Sequence, residues 1–229
     1  KGQDLSVSGS SANLAEGTVV TVTLNGKNYT ATTAADGTWS LTVPAADLAG
    51  LGQANYTLNA TATNGVGNSV SNTANLLVDT ALPTVTINTV AGDNVINAAE
   101  VAAGQTLSGT VANAEAGNTV TVTIGGNSYT ATVQSDLTWS VNVPESVLTA
   151  LGNGDLTVSA SVTNGHGNTG AGEREIVIDA SLPGLRIDTV AGDDVINSIE
   201  HGQNLIVTGS SDGLAAGTTL TVTVNAKTY

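Results

Sequence analysis

The sequence predicts an all-β protein made of β-sandwich domains joined end to end, and three observations support this fold class. Val and Thr are abundant among the 229 residues, and their β-branched side chains favour strands. No stretch of ten residues carries an unbroken apolar stripe with the period of a helix. Short alternating runs, separated by Gly and Asn turns, recur with a period of 100 residues.

Composition limits the classes of function. A hydrophobic content of 40% argues against disorder, although charged residues make up only 10%. The net charge is −14, from 19 acids against five Lys and Arg. Because binding to a phosphate backbone needs clustered cations, no nucleic-acid partner is expected. The absence of Cys excludes disulfides and thiolate chemistry. No apolar run approaches the length of a membrane span, so no membrane insertion is expected in this segment.

The repeat defines the predicted domains. Trp39 and Trp139 lie 100 residues apart, and the same offset relates Pro44 to Pro144, Asp79 to Asp179 and Pro83 to Pro183. Residues 80–179 are predicted to form one complete domain, which is long enough to bury its own core. Residues 1–79 are predicted to be a copy that lacks its first strand, and residues 180–229 the first half of a third copy. The chain begins and ends abruptly, as expected of a piece cut from a longer protein.

About seven strands are predicted in the complete copy, the number found in an immunoglobulin-like sandwich. They are expected near 84–89, 105–111, 118–124, 127–133, 138–143, 155–163 and 174–179. The third and fourth meet at Gly125-Gly126, which is Asn25-Gly26 in the first copy and is typical of a type I′ hairpin turn. Trp139 and Tyr129 are predicted core residues. A short helical turn after Pro144 is predicted to close one end of the sandwich.

The sequence does not predict an enzyme. The two His, His166 and His201, have no counterpart in another copy, and His166 is interpreted as an exposed loop residue. No nucleophile elbow, phosphate-binding loop or H-E-x-x-H helix is present. The Gly-rich turns do not open helices, so they are not predicted to hold phosphate.

The acids are concentrated at the repeat junctions. Three or more carboxylates near a short linker repel one another unless a cation neutralises them, and oxygen ligands of this kind suit Ca²⁺. Because the first strand runs towards the exit of the domain, the loop Ala91–Gly104 is expected beside Asp179. The candidate calcium ligands are Asp79, Asp93, Asn97, Glu100, Asp136, Asp179, Asp193, Asp194, Asn197, Glu200 and Asp212. Asp212 is expected in the loop after the second strand of the third copy.

An alternative without a metal also explains these residues. Asp93, Asn94 and Asn97 would then form Asx turns, which Asp and Asn do routinely, and Glu100 would be a solvated end.

The segment from Asp79 to Glu100, D-x-x-x-P-x-V-x-I-N-T-V-A-G-D-N-V-I-N-A-A-E, followed by L-S-G-T at Leu107, carries a family resemblance. It resembles the bacterial Ig-like repeats of biofilm-associated (Bap-type) giant adhesins exported by type I secretion. The resemblance implies a secreted stalk at the bacterial cell surface, with calcium at the linkers between repeats. On matching positions, the ion-binding acids of the family fall on Asp79, Asp179, Asp93 and Asp193, and more loosely on Glu100 and Glu200.

The predicted function is therefore a structural spacer that supports cell adhesion and biofilm formation. Its expected partners are the neighbouring Ig-like repeats in the same chain and like molecules on other cells. One alternative is that the repeats bind a ligand directly, a glycan or ice. Few aromatic rings are available for a glycan, and the Thr119, Thr121 and Thr123 ladder is judged too narrow for ice because it occupies one strand. Another alternative is an accessory module of a carbohydrate-active enzyme.

Overall fold

The computed structural model describes residues 2–229, which form two compact units. The first unit contains residues up to Leu82 together with the loop Asn164–Asn168, and the second contains Pro83–Thr163 and Thr169–Tyr229. No helix in residues 2–229 is long and apolar enough to cross a membrane.

The strands and helices follow the predicted pattern of short extended segments. In the first unit they are β1 (Leu5–Ser10), β2 (Val19–Leu24), β3 (Lys27–Thr32), β4 (Thr38–Val43), α1 (Ala45–Ala49), β5 (Ala54–Thr63) and β6 (Ser69–Val78). The second unit begins with β7 (Thr84–Ile87), β8 (Val95–Asn97), α2 (Ala98–Ala103), β9 (Gln105–Ala112), β10 (Thr119–Ile124), β11 (Asn127–Thr132), β12 (Thr138–Val143), α3 (Glu145–Leu151), β13 (Gly154–Thr163) and β14 (Thr169–Asp179). It ends with β15 (Gly184–Ile187), a 3-10 turn at Glu200–Gly202, β16 (Gly209–Asp212), β17 (Thr223–Val224) and β18 (Lys227–Thr228).

Two sheets enclose the core of the second unit. One has the strand order β11-β10-β13-β14-β8 and the other has the order β12-β9-β7. Alternate residues of each strand point inward, as the period of two requires. Trp139 is 1% exposed and lies among the fully buried Leu107, Val122 and Val158, while Tyr129 packs at the edge of this cluster. The all-β class and the predicted core position of Trp139 are thus confirmed.

The hairpin turns match the sequence prediction. Gly125 and Gly126 have φ of 51° and 80°, and Asn25 and Gly26 have φ of 48° and 78°. Both central residues therefore have positive φ, as a type I′ turn requires. The registers Ile124↔Asn127 and Leu24↔Lys27 follow from these two-residue loops.

The segment between β7 and β9 differs from the predicted loop. It contains β8 and α2, because Ile96 is fully buried and Asn97 caps the helix with its side chain. The main-chain oxygen of Asn94, a residue with φ of 68°, accepts a hydrogen bond from the amide of Val177 at 2.9 Å. The parallel pairing of β8 with β14 begins at the next residue of β8. β14 also begins at Thr169, five residues earlier than expected, because its Gly-rich first half pairs continuously with β13.

The first unit has the same layout with fewer strands. Its sheets have the orders β3-β2-β5-β6 and β1-β4, and residues 2–82 contain no strand in the position of β7 or β8. Val22, Leu24 and Val43 are buried, but Trp39 is only half-buried. The core is therefore smaller and open on one side.

Residues 184–229 lack a core. β15 pairs with β16 and β17 pairs with β18, and none of these residues is buried. Leu185, Ile199 and Ile206 are 65%, 76% and 78% exposed. This segment therefore presents apolar side chains that no other described element covers.

Candidate functional site

The end of the complete repeat brings together two of the segments that supply candidate ligands. Asp179, the last residue of β14, is the register partner of Asn97 in the parallel pairing with β8. The expected position of the loop Ala91–Gly104 beside Asp179 is thus confirmed. Glu100 is linked to Asn97, because its Oε2 accepts the Asn97 amide at 2.9 Å. The Asn97 Oδ1 in turn accepts the amides of Ala99 and Glu100, which forms a capping box at α2.

The linker that follows Asp179 is held by side chains. Asp179 Oδ1 accepts the amide of Ser181 at 3.1 Å. Asn153 Oδ1 accepts the amide of Ala180 at 3.0 Å, and Asn153 Nδ2 donates to Ser181 Oγ at 2.8 Å. These bonds fix the direction of the first residues of the linker.

Asp79 starts the linker of the first unit in the same way. Its Oδ1 accepts the amide of Ala81 at 3.0 Å. Its Oδ2 lies 2.8 Å from His166 Nδ1, and its main-chain oxygen accepts from Asn168 Nδ2 at 3.3 Å. His166 is an exposed loop residue as predicted, with its side chain 48% exposed, but the sequence did not predict this contact. The only signal in the sequence was that His166 replaces Val66 of the first copy.

The loop acids form Asx turns. Asp93 Oδ1 accepts the amide of Val95 at 2.9 Å, and Asp193 Oδ1 accepts that of Val195 at 3.0 Å. Asp194, at φ 62°, accepts the amide of Val190 at 2.8 Å. Asn197 and Glu200 repeat the capping bonds of the second copy. One carboxylate oxygen of each Asp is therefore used to order its own loop.

Asp136 and Asp212 occupy different settings. Asp136 Oδ1 accepts both the hydroxyl and the amide of Thr138, at 2.7 and 3.1 Å. The Thr138 hydroxyl, helped by the amide, holds the pKa of the Asp136 carboxyl below its ordinary value of 3.8. Asp212 is the last residue of β16 and pairs with Gly184, so its expected place in a loop was wrong.

The donor set fits a hard cation in chemistry, because it consists of carboxylate and amide oxygens. In residues 2–229, however, no three Asp, Glu or His side chains lie close enough to hold one ion. Asp93 and Asn97 form the Asx turns of the alternative interpretation. Asn94 Oδ1 instead accepts the amide of Val90, and Glu100 caps α2 and is not a solvated end. A bound Ca²⁺ would therefore need main-chain carbonyls and water in addition to these side chains.

The hydroxyl ladder is wider than the sequence suggested. Thr121 lies between Thr130 and Ser161 in register, and Thr123 lies between Ser128 and Ser159. These side chains alternate with buried residues, so they occupy the outer face of the five-stranded sheet. The estimate that the ladder occupies one strand was wrong, because neighbouring strands contribute hydroxyls at matching positions.

Comparisons with known proteins identify the family. The model of the bacterial Ig-like domain matches residues 7–80. A solved structure of a 1.5-MDa bacterial ice-binding adhesin, studied for its retention at the host cell surface, is 31% identical, with a TM-score of 0.54. The match covers 100% of this chain and 76% of that one. The chain belongs to the bacterial Ig-like domain family.

A second solved structure shares this Ig-like fold. It comes from a Ca²⁺-stabilized adhesin that helps an Antarctic bacterium reach out and bind ice; it is 33% identical, with a TM-score of 0.52. The match covers 100% of this chain and 57% of that one, so this chain spans little more than half the length of that chain. No curated protein matches the chain. The Ig-like repeats described above are thus of the type found in large adhesins.

Proposed function

We propose that this chain is a spacer segment in the stalk of a secreted bacterial surface adhesin, where calcium at the junctions between repeats limits bending. The observation that carries the proposal is the pairing of Asp179 with Asn97 where the linker starts. Oxygen donors of two elements meet there, and Asn153 already orders the linker. The stalk would support adhesion and biofilm formation by holding a distal domain away from the cell, with neighbouring repeats as its partners.

The candidate ligands at this junction are the carboxylates of Asp93 and Asp179, with Asp79 in the same role at the first linker. Asp193 is the equivalent of Asp93 in the third copy. Each uses Oδ1 in an Asx turn. The second carboxylate oxygen of Asp79 already contacts His166 Nδ1 at 2.8 Å, so an ion there would compete with His166. When bound, the ion would supply positive charge that offsets the repulsion among these acids.

The expected free energy is small. Extracellular calcium modules have dissociation constants of about 10⁻⁴–10⁻³ M. In millimolar calcium this corresponds to roughly 0.4–1.4 kcal/mol per site. Such an energy changes the fold little, but it is enough to change the population of a bent linker, and the effect accumulates along a stalk with many junctions.

Small-angle scattering of the 229-residue chain in millimolar calcium and in chelator tests the proposal. The maximum dimension is expected to increase, and the flexibility to decrease, when calcium is present. The double variant Asp93→Asn and Asp179→Asn should lose much of this response. Asn retains the Oδ1 acceptor of each Asx turn, so the loops should stay folded while two carboxylate charges are removed.

Asp36→Asn is the matched control, because Asp36 forms the same kind of turn with Thr38 but lies outside the candidate set. This variant should respond to calcium like the parent chain. Identical scattering of the parent chain in calcium and in chelator would reject the calcium role. The chain would then be a spacer whose bending does not depend on calcium.

A second candidate function is direct binding of an ordered ligand surface, such as ice, by the hydroxyl face. The width of the Thr and Ser array in the second unit favours it. The face is not uniform, however. The first unit has Val19 and Asn28 where the second has Thr119 and Ser128, and the charged Glu173 pairs with Ser159. A repeating ligand lattice needs a repeating surface, so we retain the spacer as the conclusion.

A further inference from the structure

One edge of the five-stranded sheet in the second unit is free. β11 pairs with β10 on one side, and no strand in residues 2–229 lies along its other side. The amide of Val133 donates to Asn118 O at 2.9 Å, so Val133 faces β10. Because the direction of the main-chain groups alternates along an antiparallel ladder, Ser128 and Thr130 direct their N–H and C=O groups to the free side. Both residues are exposed.

This edge lacks the features that commonly prevent pairing between molecules. Natural edge strands are protected by Lys side chains, by Pro or by a β-bulge. β11 contains no charged residue and no Pro. Its register with β10 is continuous from Asn127 to Thr132, so there is no bulge. An added strand could therefore pair with it directly.

The equivalent edge of the first unit, β3, carries a charged cluster. Lys27 Nζ forms an ion pair with Asp47 and lies 5.7 Å from the centre of the Tyr29 ring. Tyr29 Oη donates a hydrogen bond to Asp47 Oδ2 at 2.9 Å. The cluster places a Lys on the first residue of the edge strand, which is a recognised way to discourage strand addition.

The second unit retains only the tyrosine of this cluster. By the 100-residue offset, Asn127 stands in the place of Lys27 and Val147 in the place of Asp47. Tyr129 and Val147 are both half-buried and pack against the core. The free edge of β11 therefore combines unpaired main-chain groups with an aromatic ring and an aliphatic side chain, and it carries no charge.

The distribution of charge favours a second copy of this acidic chain as the partner of β11. Residues 117–135 contain no charged side chain, although the net charge of the chain is −14. The acids in the strands of this sheet lie on β13 and β14, which are at least two strand spacings, about 10 Å, from β11. Two sheets joined at β11 keep these acids at least about 24 Å apart, well beyond the Debye length of about 8 Å.

The opposite edge of the same sheet is unsuited to such a contact. It is formed by β8, whose residue Asn97 pairs with Asp179, and Asp93 and Glu100 lie on either side of this strand in the chain. Two copies that met there would bring carboxylates together. Charge repulsion therefore distinguishes the two edges.

We propose that β11 pairs with β11 of a second copy, antiparallel, about a two-fold axis at Tyr129. Ser128 then lies opposite Thr130 of the second copy, and the two residues exchange both main-chain hydrogen bonds. Tyr129 lies opposite Tyr129 of the second copy in a non-hydrogen-bonded pair, where side chains are closest and aromatic pairs are stabilising. The contact uses the same strand of both copies, so it closes as a dimer.

A hydrogen bond within the chain favours this register. A two-fold axis at Thr130 would pair Ser128 with Thr132 of the second copy. The main-chain oxygen of Thr132 already accepts Gln134 Nε2 at 2.9 Å. The register centred on Tyr129 needs only the groups of Ser128 and Thr130, which face the free side.

The pairing fixes the relative direction of the two chains. The second unit is entered beside the start of β14, where a Cβ on Gly170 would lie 1.7 Å from Pro83 O, and it ends at Asp179, the last residue of β14. β11 is antiparallel to β14, because three successive strand pairs are antiparallel. The two chains therefore cross the dimer in opposite directions. This is the arrangement of stalks from facing cells, a step that rests on the proposed spacer function, whereas the pairing itself does not.

Sedimentation velocity of the full chain in chelator tests the pairing separately from any effect of calcium. A single strand pair is a small contact, so protein concentrations up to about 1 mM are needed. The weight-average mass should rise from the 22.6 kDa of the monomer towards twice that value. A chain that stays monomeric would overturn the proposal, and it would leave the spacer function to be judged by the scattering experiment.

Two variants should each weaken dimerisation at least tenfold. Thr130→Pro removes an amide from the free side of β11, a position at which edge strands tolerate Pro. The double variant Asn127→Lys with Val147→Asp rebuilds the charged cluster that the first unit already accommodates. Thermal unfolding checks that both variants retain the fold. Dimerisation of either variant at the parent strength would contradict the proposal.

Ser140→Pro is the matched control. β12 is the edge strand of the three-stranded sheet, and the amide of Val111 donates to Leu137 O, so Ser140 directs its amide away from β9. This variant also removes an amide from a free edge, but it should dimerise like the parent chain. Loss of dimerisation in Ser140→Pro, with none in Thr130→Pro, would place the contact at β12 and overturn the proposal.

Cross-linking tests the register, since the chain has no Cys. Ser128 and Thr130 of the second copy form a hydrogen-bonded pair with Cα atoms about 5.5 Å apart, which suits a disulfide. Two copies of residue 128 lie on a diagonal of about 7–8 Å, which does not. A mixture of Ser128→Cys and Thr130→Cys chains should therefore give more disulfide-linked dimer under mild oxidation than either variant alone. Equal yields from a single variant and the mixture would contradict the antiparallel register.

Discussion

At the scale of single residues, the same short polar contact occurs in both units. Asp36 accepts the hydroxyl and amide of Thr38, and Asp136 accepts those of Thr138. In each pair the side-chain hydroxyl is the main cause of the lowered pKa of the carboxyl. The pair orders the turn before a strand, so it accounts for Asp136 without a metal.

Thr138→Val is expected to raise the pKa of Asp136 towards 3.8, because it removes the hydroxyl donor but retains the amide and the β-branched shape. A carboxyl whose pKa is lowered by folding stabilises the folded state above its unfolded pKa. That contribution is lost as the pH falls from about 3.8 through the lower folded value. NMR titration of the Asp136 carboxyl measures the shift. Thr38→Val should act on Asp36 in the same direction, and an unchanged pKa in both variants would contradict the assignment.

At the scale of elements, the glycines of β14 allow β7 to approach closely. A Cβ on Gly172 would lie 2.0 Å from Val85 O, and one on Gly170 would lie 1.7 Å from Pro83 O. The sequence predicted this strand only from residue 174 onwards, because Gly is unfavourable in strands and the first half of β14 contains two glycines. The contact with β7 explains why Gly is nevertheless required there.

Gly172→Ala is expected to displace β7 and to lower the free energy of unfolding of the second unit by about 1–3 kcal/mol, since main chain cannot move aside easily. Denaturant unfolding followed by the fluorescence of Trp139, in a Trp39→Phe background, measures this change. Asn72→Ala is the matched control at the equivalent position of the first unit, where no strand is in the way, and should change stability by less than about 0.5 kcal/mol. Equal effects at the two sites would show that β7 does not pack against Gly172.

At the scale of the whole molecule, the two units differ in how completely their cores are enclosed. The second unit has two sheets of five and three strands around Trp139, whereas the first has four and two around a half-buried Trp39. Because less apolar surface is removed from water in the first unit, we expect its stability to be lower.

Unfolding in urea is therefore expected to show two transitions, with the first unit unfolding at the lower concentration. Trp39→Phe and Trp139→Phe leave one reporter each, so fluorescence assigns each transition to a unit. Coincident transitions in the two variants would show that the units unfold as one.

The sequence alone determined the all-β class, the 100-residue repeat, the hairpin turns and the buried Trp139, because alternation and turn chemistry are local properties of the chain. It also placed the loop Ala91–Gly104 beside Asp179. Only the tertiary structure revealed β8, because its pairing with β14 joins residues that are distant in sequence. The helix α2 was missed although its capping box, Asn97 with Glu100, is local and readable from the sequence.

The candidate calcium ligands, too, were predicted from the sequence only in part. Their residue types and their positions at repeat boundaries were readable from the sequence, whereas the contact of His166 with Asp79 was not, since it joins residues far apart in the chain. The tertiary structure also decided that each Asp orders its own loop and that no three acids in residues 2–229 meet. The physical reason is that a turn or a strand is specified by neighbours in sequence, while the convergence of charges is specified by how strands pack.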